Sequence, residues 1–292
     1  MLQAKLRPYQ QKGFAWLARH AACGFGACLT TREGLAKDEL KRLVEPFILR
    51  RLKSAVLTDL PEKTEVTLSV ELGPNERTAY EACRIKALEA LEGNEDDRIS
   101  ILAELTRLRR FCSHPSLVLP EFTESAKLET LKDLLSDLKG AGHRALIFSQ
   151  FTDYLAIVRR LLEEQGWTCQ YLDGTTPIAE RAKAVDSFQA GEGDFFLISL
   201  KAGGTGLNLT AANYVVLLDP WWNPAVENQA ADRVHRIGQK NPVTVYRLIA
   251  AKTVEERVLE LHAEKRRIAE DVLEGTGKTT LSPEVLMRLF AP

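Results

Sequence analysis

The sequence predicts an α/β fold: a parallel sheet with helices on both faces, preceded by a mainly helical segment. Short apolar runs recur at 145–148, 169–172, 195–199, 214–218 and 243–249, each bounded by turn residues or helical stretches. Helical patterns alternate with them from Ser125 onwards, beginning with a stripe of Leu128, Leu131, Leu134, Leu135 and Leu138 that is closed by Gly140 and Gly142. Continuous apolar strands separated by helices make a parallel sheet covered on both sides, here with about five to six strands.

The elements follow in chain order. Residues 7–29 predict a helix, with Phe14, Leu17, Ala18 and Ala21 at three-to-four spacing, then a short strand after Gly24. A turn-like stretch, 30–34, leads into a basic amphipathic helical region over 37–57 that Pro46 must end or kink. Val66, Leu68, Val70 and Leu72 alternate as a half-buried strand over 64–72. A helix opens at Pro74, a favourable first-turn residue, and another runs from about Arg98 to Phe111 with Ile99, Leu102, Leu105 and Leu108 in register. The loop between them is 94–97. A last long helix, with a capping box of Thr253 and Glu256, is expected to reach about Glu274.

Composition bounds the function. Lys plus Arg (39) nearly cancels Asp plus Glu (40), so any nucleic-acid contact must come from a local basic surface. Cys23, Cys28, Cys83, Cys112 and Cys169 lack a Cys-x-x-Cys pair and zinc-site spacing, which makes them reduced packing residues and predicts no metal centre. No apolar run approaches the ~18 to 20 residues that cross a bilayer, and residues 1–10 carry no leader pattern. A cytoplasmic, nucleoid-associated protein without a membrane partner is the expectation.

Three neighbouring stretches carry chemistry. In QAADRVHRIGQ, 229–239, Arg233 and Arg236 are three apart, so on a helix they project from one face toward a single polyanion. The same spacing also marks a solvated charged face. In SLKAGGTGLNL, 199–209, the glycines 203, 204 and 206 follow a strand and let backbone N–H groups approach a phosphate, or else form a plain tight turn. Between these lie Trp221 and Trp222, able to stack on bases or to fill core.

RALIFSQF (144–151), YLDGTTP (171–177), ISLKAGGTGLNLTAAN (198–213), LLDPWWNPAVENQAADRVHRIGQ (217–239) and VTVYRLIA (243–250) stand in one order. Together they resemble motifs IV to VI of the Swi/Snf family of helicase-like, DNA-dependent ATPases. FILRR with the following basic stretch (47–63) and RLRRFCSHP (107–115) resemble the family's inter-lobe segments. The resemblance implies a RecA-like second lobe over 123–275, an inter-lobe helical segment over 36–122, a remnant of a first lobe over 1–35 and a tail over 276–292. It implies arginine fingers at Arg233 and Arg236, and nucleotide contacts at Gln10, Gly204, Gln229 and Gln239. Ser149, Gln150, Ser199, Lys201, Gly203, Asn208 and Trp222 would hold duplex DNA by its backbone, without sequence readout. ATP and Mg2+ belong to the complete family motor, and RNA polymerase or another DNA-bound protein is a candidate partner.

One departure stands out. Leu29 is followed directly by TTREGLAKDEL, and neither a P-loop nor an Asp-Glu-x-His box occurs in the 292 residues. Phosphoryl transfer needs a phosphate cradle, a lysine and a carboxylate-held magnesium. The chain alone is therefore expected to hold neither cofactor and to be inactive toward ATP, with residues 1–35 the least ordered. GTGKTT (275–280) mimics a P-loop end, but Val272 stands where the motif needs glycine.

Overall fold

A computed structural model of the chain describes residues 60–93, 97–200, 202, 207–271 (263–271 as backbone alone) and 282–291. The chain divides into two units after Asp59, and all described residues belong to the second, Leu60–Pro292. The elements expected over 7–29 and 37–57, residues 1–35 as a whole, Gln10, Cys23, Cys28, Lys201, Gly203, Gly204, Gly206 and the 275–280 stretch lie outside the described residues.

The elements in order are β1 (Lys63–Val70), α1 (Pro74–Leu91), α2 (Arg98–Ser113), α3 (Ala126–Gly140), β2 (Ala145–Ser149), α4 (Thr152–Glu164) and β3 (Cys169–Leu172). They continue as α5 (Ile178–Gln189), β4 (Phe195–Ser199), β5 (Tyr214–Leu217), α6 (Pro224–Ala231), β6 (Val243–Ala250), α7 (Val254–Asp271) and α8 (Pro283–Met287). The sheet has six strands in the order β1-β6-β5-β2-β4-β3, and every pairing is parallel.

Strand alternation builds two cores at once. Leu146, Phe148, Phe196, Ile198, Val215 and Leu217 point to the face covered by Phe188 of α5 and by Ala230 and Ala231 of α6. Ala145, Ile147, Phe195, Leu197 and Val216 point to the other face, against Leu131, Leu135 and Leu138 of α3 and Tyr154, Leu155 and Val158 of α4. β2 and β4 are buried at every position, as strands roofed on both sides must be.

The strand expected over 64–72 forms as β1 and joins this same sheet as its edge, with Lys63 opposite Val243 and Val70 opposite Ala250. Helices α1 and α2 likewise share a core with the C-terminal elements: Tyr80, Leu105, Leu108 and Phe111 pack with Val254, Val258, Leu286 and Phe290. Residues 60–122, which the sequence reads as an inter-lobe segment, thus contribute an edge strand and a helical pair to one body.

Local signals set the helix ends. Asp97 caps α2 by accepting from the Ile99 N–H at 3.0 Å, Ser125 caps α3 by accepting from Leu128 at 3.3 Å, and Asn223 caps α6 by accepting from Ala225 at 3.1 Å. Each side-chain oxygen satisfies an N–H that has no partner inside its helix. Gly142 closes α3 with φ +74, the left-handed conformation glycine adopts without strain. At α7 the expected box is shifted by one residue: Thr253 Oγ1 accepts from Glu255 N, while Glu256 Oε2 accepts from Lys252 N at 2.7 Å.

Candidate nucleic-acid and phosphate interface

The strand order fixes where a ligand crevice lies. The chain leaves β2 toward α4 on one face and leaves the neighbouring β5 toward α6 on the other. Diverging connections open a crevice at the carboxyl ends of such a strand pair. Ser149 ends β2 there, and its hydroxyl donates to Asp219 Oδ1 just past β5. The same carboxylate accepts from the Gln150 N–H at 3.2 Å, and the Ser149 oxygen in turn accepts from the Phe151 N–H at 3.0 Å. Burial pushes the Asp219 carboxyl above its usual range, while Arg109, the Ser149 hydroxyl and Lys127 pull it back. The pair is the floor of the crevice, and it locks the turn that presents Gln150, whose buried side-chain nitrogen has no hydrogen-bond partner.

Arg109 reinforces that floor from α2. It is 1% exposed, donates to the Pro220 carbonyl, and lies 4.7 Å from the centre of the Trp222 ring. A guanidinium stacked on an indole in a dry site is a substantial cation–π contact. Trp222, expected as a DNA contact, therefore has one face committed to Arg109 and packs against the helical core. Trp221 packs against the sheet core, and its N–H donates to Glu227 at 2.8 Å.

Ser199 ends β4 beside Ser149 in register. It is buried, and its hydroxyl accepts from the Ala202 N–H at 3.3 Å. It shapes the start of the glycine loop from inside. Asn208, past the glycines, is exposed.

The arginine pair departs from its helical expectation. α6 ends at Ala231, and 232–238 is a run of turns in which Val234 and His235 both donate back to the Ala231 carbonyl. Arg233 is half-buried and Arg236 exposed. They are close enough for Arg236 to depress the Arg233 guanidinium further, after burial, with Asp232 opposing. Among the described residues no carboxylate pairs with either arginine, and the Arg233 Nε has no hydrogen-bond partner. By contrast Arg247, nearby in sequence, is clamped by Glu227 at 2.9 Å and Glu65 at 2.8 Å. Neighbouring guanidiniums repel one another unless an anion joins them.

This turn is laced to the continuation of the glycine loop. The Leu209 N–H donates to the Arg233 carbonyl at 3.1 Å. The Gln239 side-chain nitrogen donates to the Ala212 carbonyl at 2.8 Å and to Thr210 at 3.2 Å, and its oxygen accepts from Lys240 and Asn241. Gln239, expected as a nucleotide contact, is a buried brace between the two loops, its amide engaged with backbone. Gln229 is exposed on α6.

Among the described residues no cluster of three or more His, Cys, Asp or Glu could hold a metal ion. No helix among them is long and apolar enough to cross a membrane. Cys83, Cys112 and Cys169 are free thiols.

Sequence reasoning missed Arg109, Asp219 and the pair Lys127 and Glu255, whose charged atoms meet at 2.6 Å with both side chains essentially buried. A signal existed for Lys127, which sits four residues before Leu131 on the apolar stripe of α3. Asp219 lies within the 217–239 motif, where its residue type alone gives it no distinct role.

The chain resembles known proteins along most of its length. The helicase conserved C-terminal domain matches residues 126–238, and the SNF2-related domain matches 15–117, running across Leu29 and Thr30. An uncharacterized ATP-dependent helicase of Mycoplasma pneumoniae is 39% identical over 255 residues, covering 86% of this chain and 25% of that protein. Chromodomain-helicase-DNA-binding protein 1-like of Mus musculus is 39% identical over 255 residues, covering 84% and 28%. The chain therefore spans about a quarter of the length of these curated relatives. Among solved structures, the Sulfolobus solfataricus SWI2/SNF2 ATPase core in complex with dsDNA aligns with a TM-score of 0.65 at 32% identity, over 87% of this chain and 55% of that one. The isolated C-terminal domain of the same archaeal ATPase aligns with a TM-score of 0.62 at 29% identity, over 78% and 98%.

Proposed function

From the premise that this chain belongs to the Swi/Snf family of helicase-like proteins, we propose that it supplies the C-terminal lobe of an ATP-dependent duplex-DNA translocase. The observation that carries this reading is the neighbouring guanidiniums of Arg233 and Arg236, the first with an Nε that lacks a hydrogen-bond partner among the described residues, on a turn laced to the loop that follows the glycines. Arg236, and Arg233 behind it, neutralise charge on a triphosphate presented by another protein surface. The glycine loop with Lys201 and Gly203, together with Gln150 and Asn208, grips one DNA strand through its phosphates. Ser149, Ser199 and Trp222 support that grip by holding the loops in place. ATP and magnesium are held elsewhere, since these residues fit only the anionic tail. In this reading the protein works on cytoplasmic, nucleoid DNA, with a DNA-bound protein as the object moved.

A second reading is favoured by the absence of a P-loop and an Asp-Glu-x-His box from the sequence. In it the chain is a nucleic-acid-binding module whose partner supplies the first lobe. One experiment separates the two. ATP turnover is measured with duplex DNA, with and without a separately produced first lobe of a relative. Turnover that appears only with the added lobe, and is lost in Arg236→Ala, supports the motor reading; duplex binding with no turnover in any mixture supports the module. A chain that binds no duplex DNA overturns both.

A further inference from the structure

The arginine turn is not held by helix geometry, because α6 stops at Ala231 before either guanidinium is reached. Three anchors outside the helix replace it. The Arg233 carbonyl accepts from the Leu209 N–H at 3.1 Å, and the Gln239 side-chain nitrogen donates to the Ala212 carbonyl at 2.8 Å. Both of these run to the 209–212 stretch. The third runs the other way: His235 Nε2 donates to the Pro61 carbonyl at 2.8 Å, across 174 positions of sequence. A carbonyl can only accept, so Nε2 carries the proton.

Pro61 is a firm post. Proline fixes its own φ, and the ladder of the sheet begins with the next residue: the Glu62 carbonyl accepts from the Val243 N–H at 2.9 Å, and Lys63 then stands opposite Val243. Farther along the same two strands Arg247 meets Glu65 at 2.8 Å. The turn thus hangs between two unlike supports, a loop on one side and a paired edge strand on the other. Val234, fully buried in the sheet core, faces inward between the two arginines, and half-buried His235 stands beside exposed Arg236. Held by the loop alone, the turn would be free to swing about that one side; the imidazole fixes the second.

We propose that His235 is a positioning residue: by hanging the turn on the amino end of β1, it sets the separation and aim of the Arg233 and Arg236 guanidiniums toward a single polyphosphate. The proposal rests on the triphosphate role proposed above for the two arginines. With Nε2 engaged by a carbonyl, the ring serves the anion through its neighbours and not by touching it.

The test uses the full chain with His235→Gln, His235→Ala and, to mark the site, Arg236→Ala. Inorganic triphosphate is titrated by calorimetry, and amide hydrogen exchange is followed without ligand over 232–239 and at Val243. His235→Ala is expected to speed exchange at both places and to weaken triphosphate binding about fivefold, the order of one lost hydrogen bond. His235→Gln, whose amide nitrogen reaches close to the position of Nε2, is expected to keep both near wild type. Weaker binding with unchanged exchange makes His235 a direct anion contact and overturns the positioning role. Faster exchange with unchanged binding makes the tether structural only and overturns it as well, as does a glutamine variant that loses as much as alanine. If wild type binds no triphosphate, or Arg236→Ala binds it equally, the reading of the arginines fails, while faster exchange confined to His235→Ala still upholds the tether.

Discussion

Charge placed where water cannot reach it decides several individual residues. Lys127 and Glu255 face each other at 2.6 Å inside the lobe, and Glu255 also accepts from the Ala250 N–H at 2.9 Å. Removing one partner strands the other, so Lys127→Met should lower stability by about 3 to 5 kcal/mol in urea unfolding at neutral pH. Replacing both by apolar residues of similar size should recover most of that loss, since neither desolvated charge then remains. Glu65 gives a pH-dependent case. Burial alone would raise its carboxyl, but Lys63 and Arg247 outweigh it and hold the group at about 2, below its ordinary 4.5. Its stabilising contribution is then complete above about 4.5 and fades as the pH falls toward 2. The gap in urea midpoint between wild type and Glu65→Gln should be widest near pH 6 and narrower at pH 3; a gap independent of pH would disprove the coupling. None of these pairings is legible in the linear chain, because Lys127 and Glu255, or Arg247 and Glu65, are brought together only by the sheet.

Elements were far easier to read. The five apolar runs and the leucine stripe fell where strands and α3 form, because period and burial speak directly through residue type. Ends were read less well. Their spacing predicts Arg233 and Arg236 on a helix, yet α6 stops at Ala231, because three-residue spacing is equally compatible with successive turns. Gln239 looked like a ligand contact, and only the path of the 207–212 loop reveals it as a brace. At the end of α3, Gly142 has φ +74 with open space around it, so Gly142→Ala meets backbone strain and no clash. The expected loss is about 1 kcal/mol of unfolding free energy. Leu131→Ala, in the fully buried stripe of the same helix, should lose about 2 to 5 kcal/mol by leaving a cavity. Thermal unfolding of the two variants side by side ranks these effects.

For the molecule as a whole, the sequence foretells the sheet, while the joining of residues 60–122 to the same body is visible only in the folded chain. A half-buried strand in isolation says nothing about which neighbour it will choose, and Val66 and Leu68 alternate identically whether they start a separate layer or close an existing one. That choice has a temporal consequence. β1 is the first of the six strands to leave the ribosome, yet its partner in the sheet, β6, ends at Ala250. During synthesis the early strand must wait, unzipped, for some 180 residues of later chain, which makes closure of this edge a late and slow event. Chains stalled before Val243 should accordingly remain open to protease at Lys63, and arrested nascent chains released after Ala251 should not.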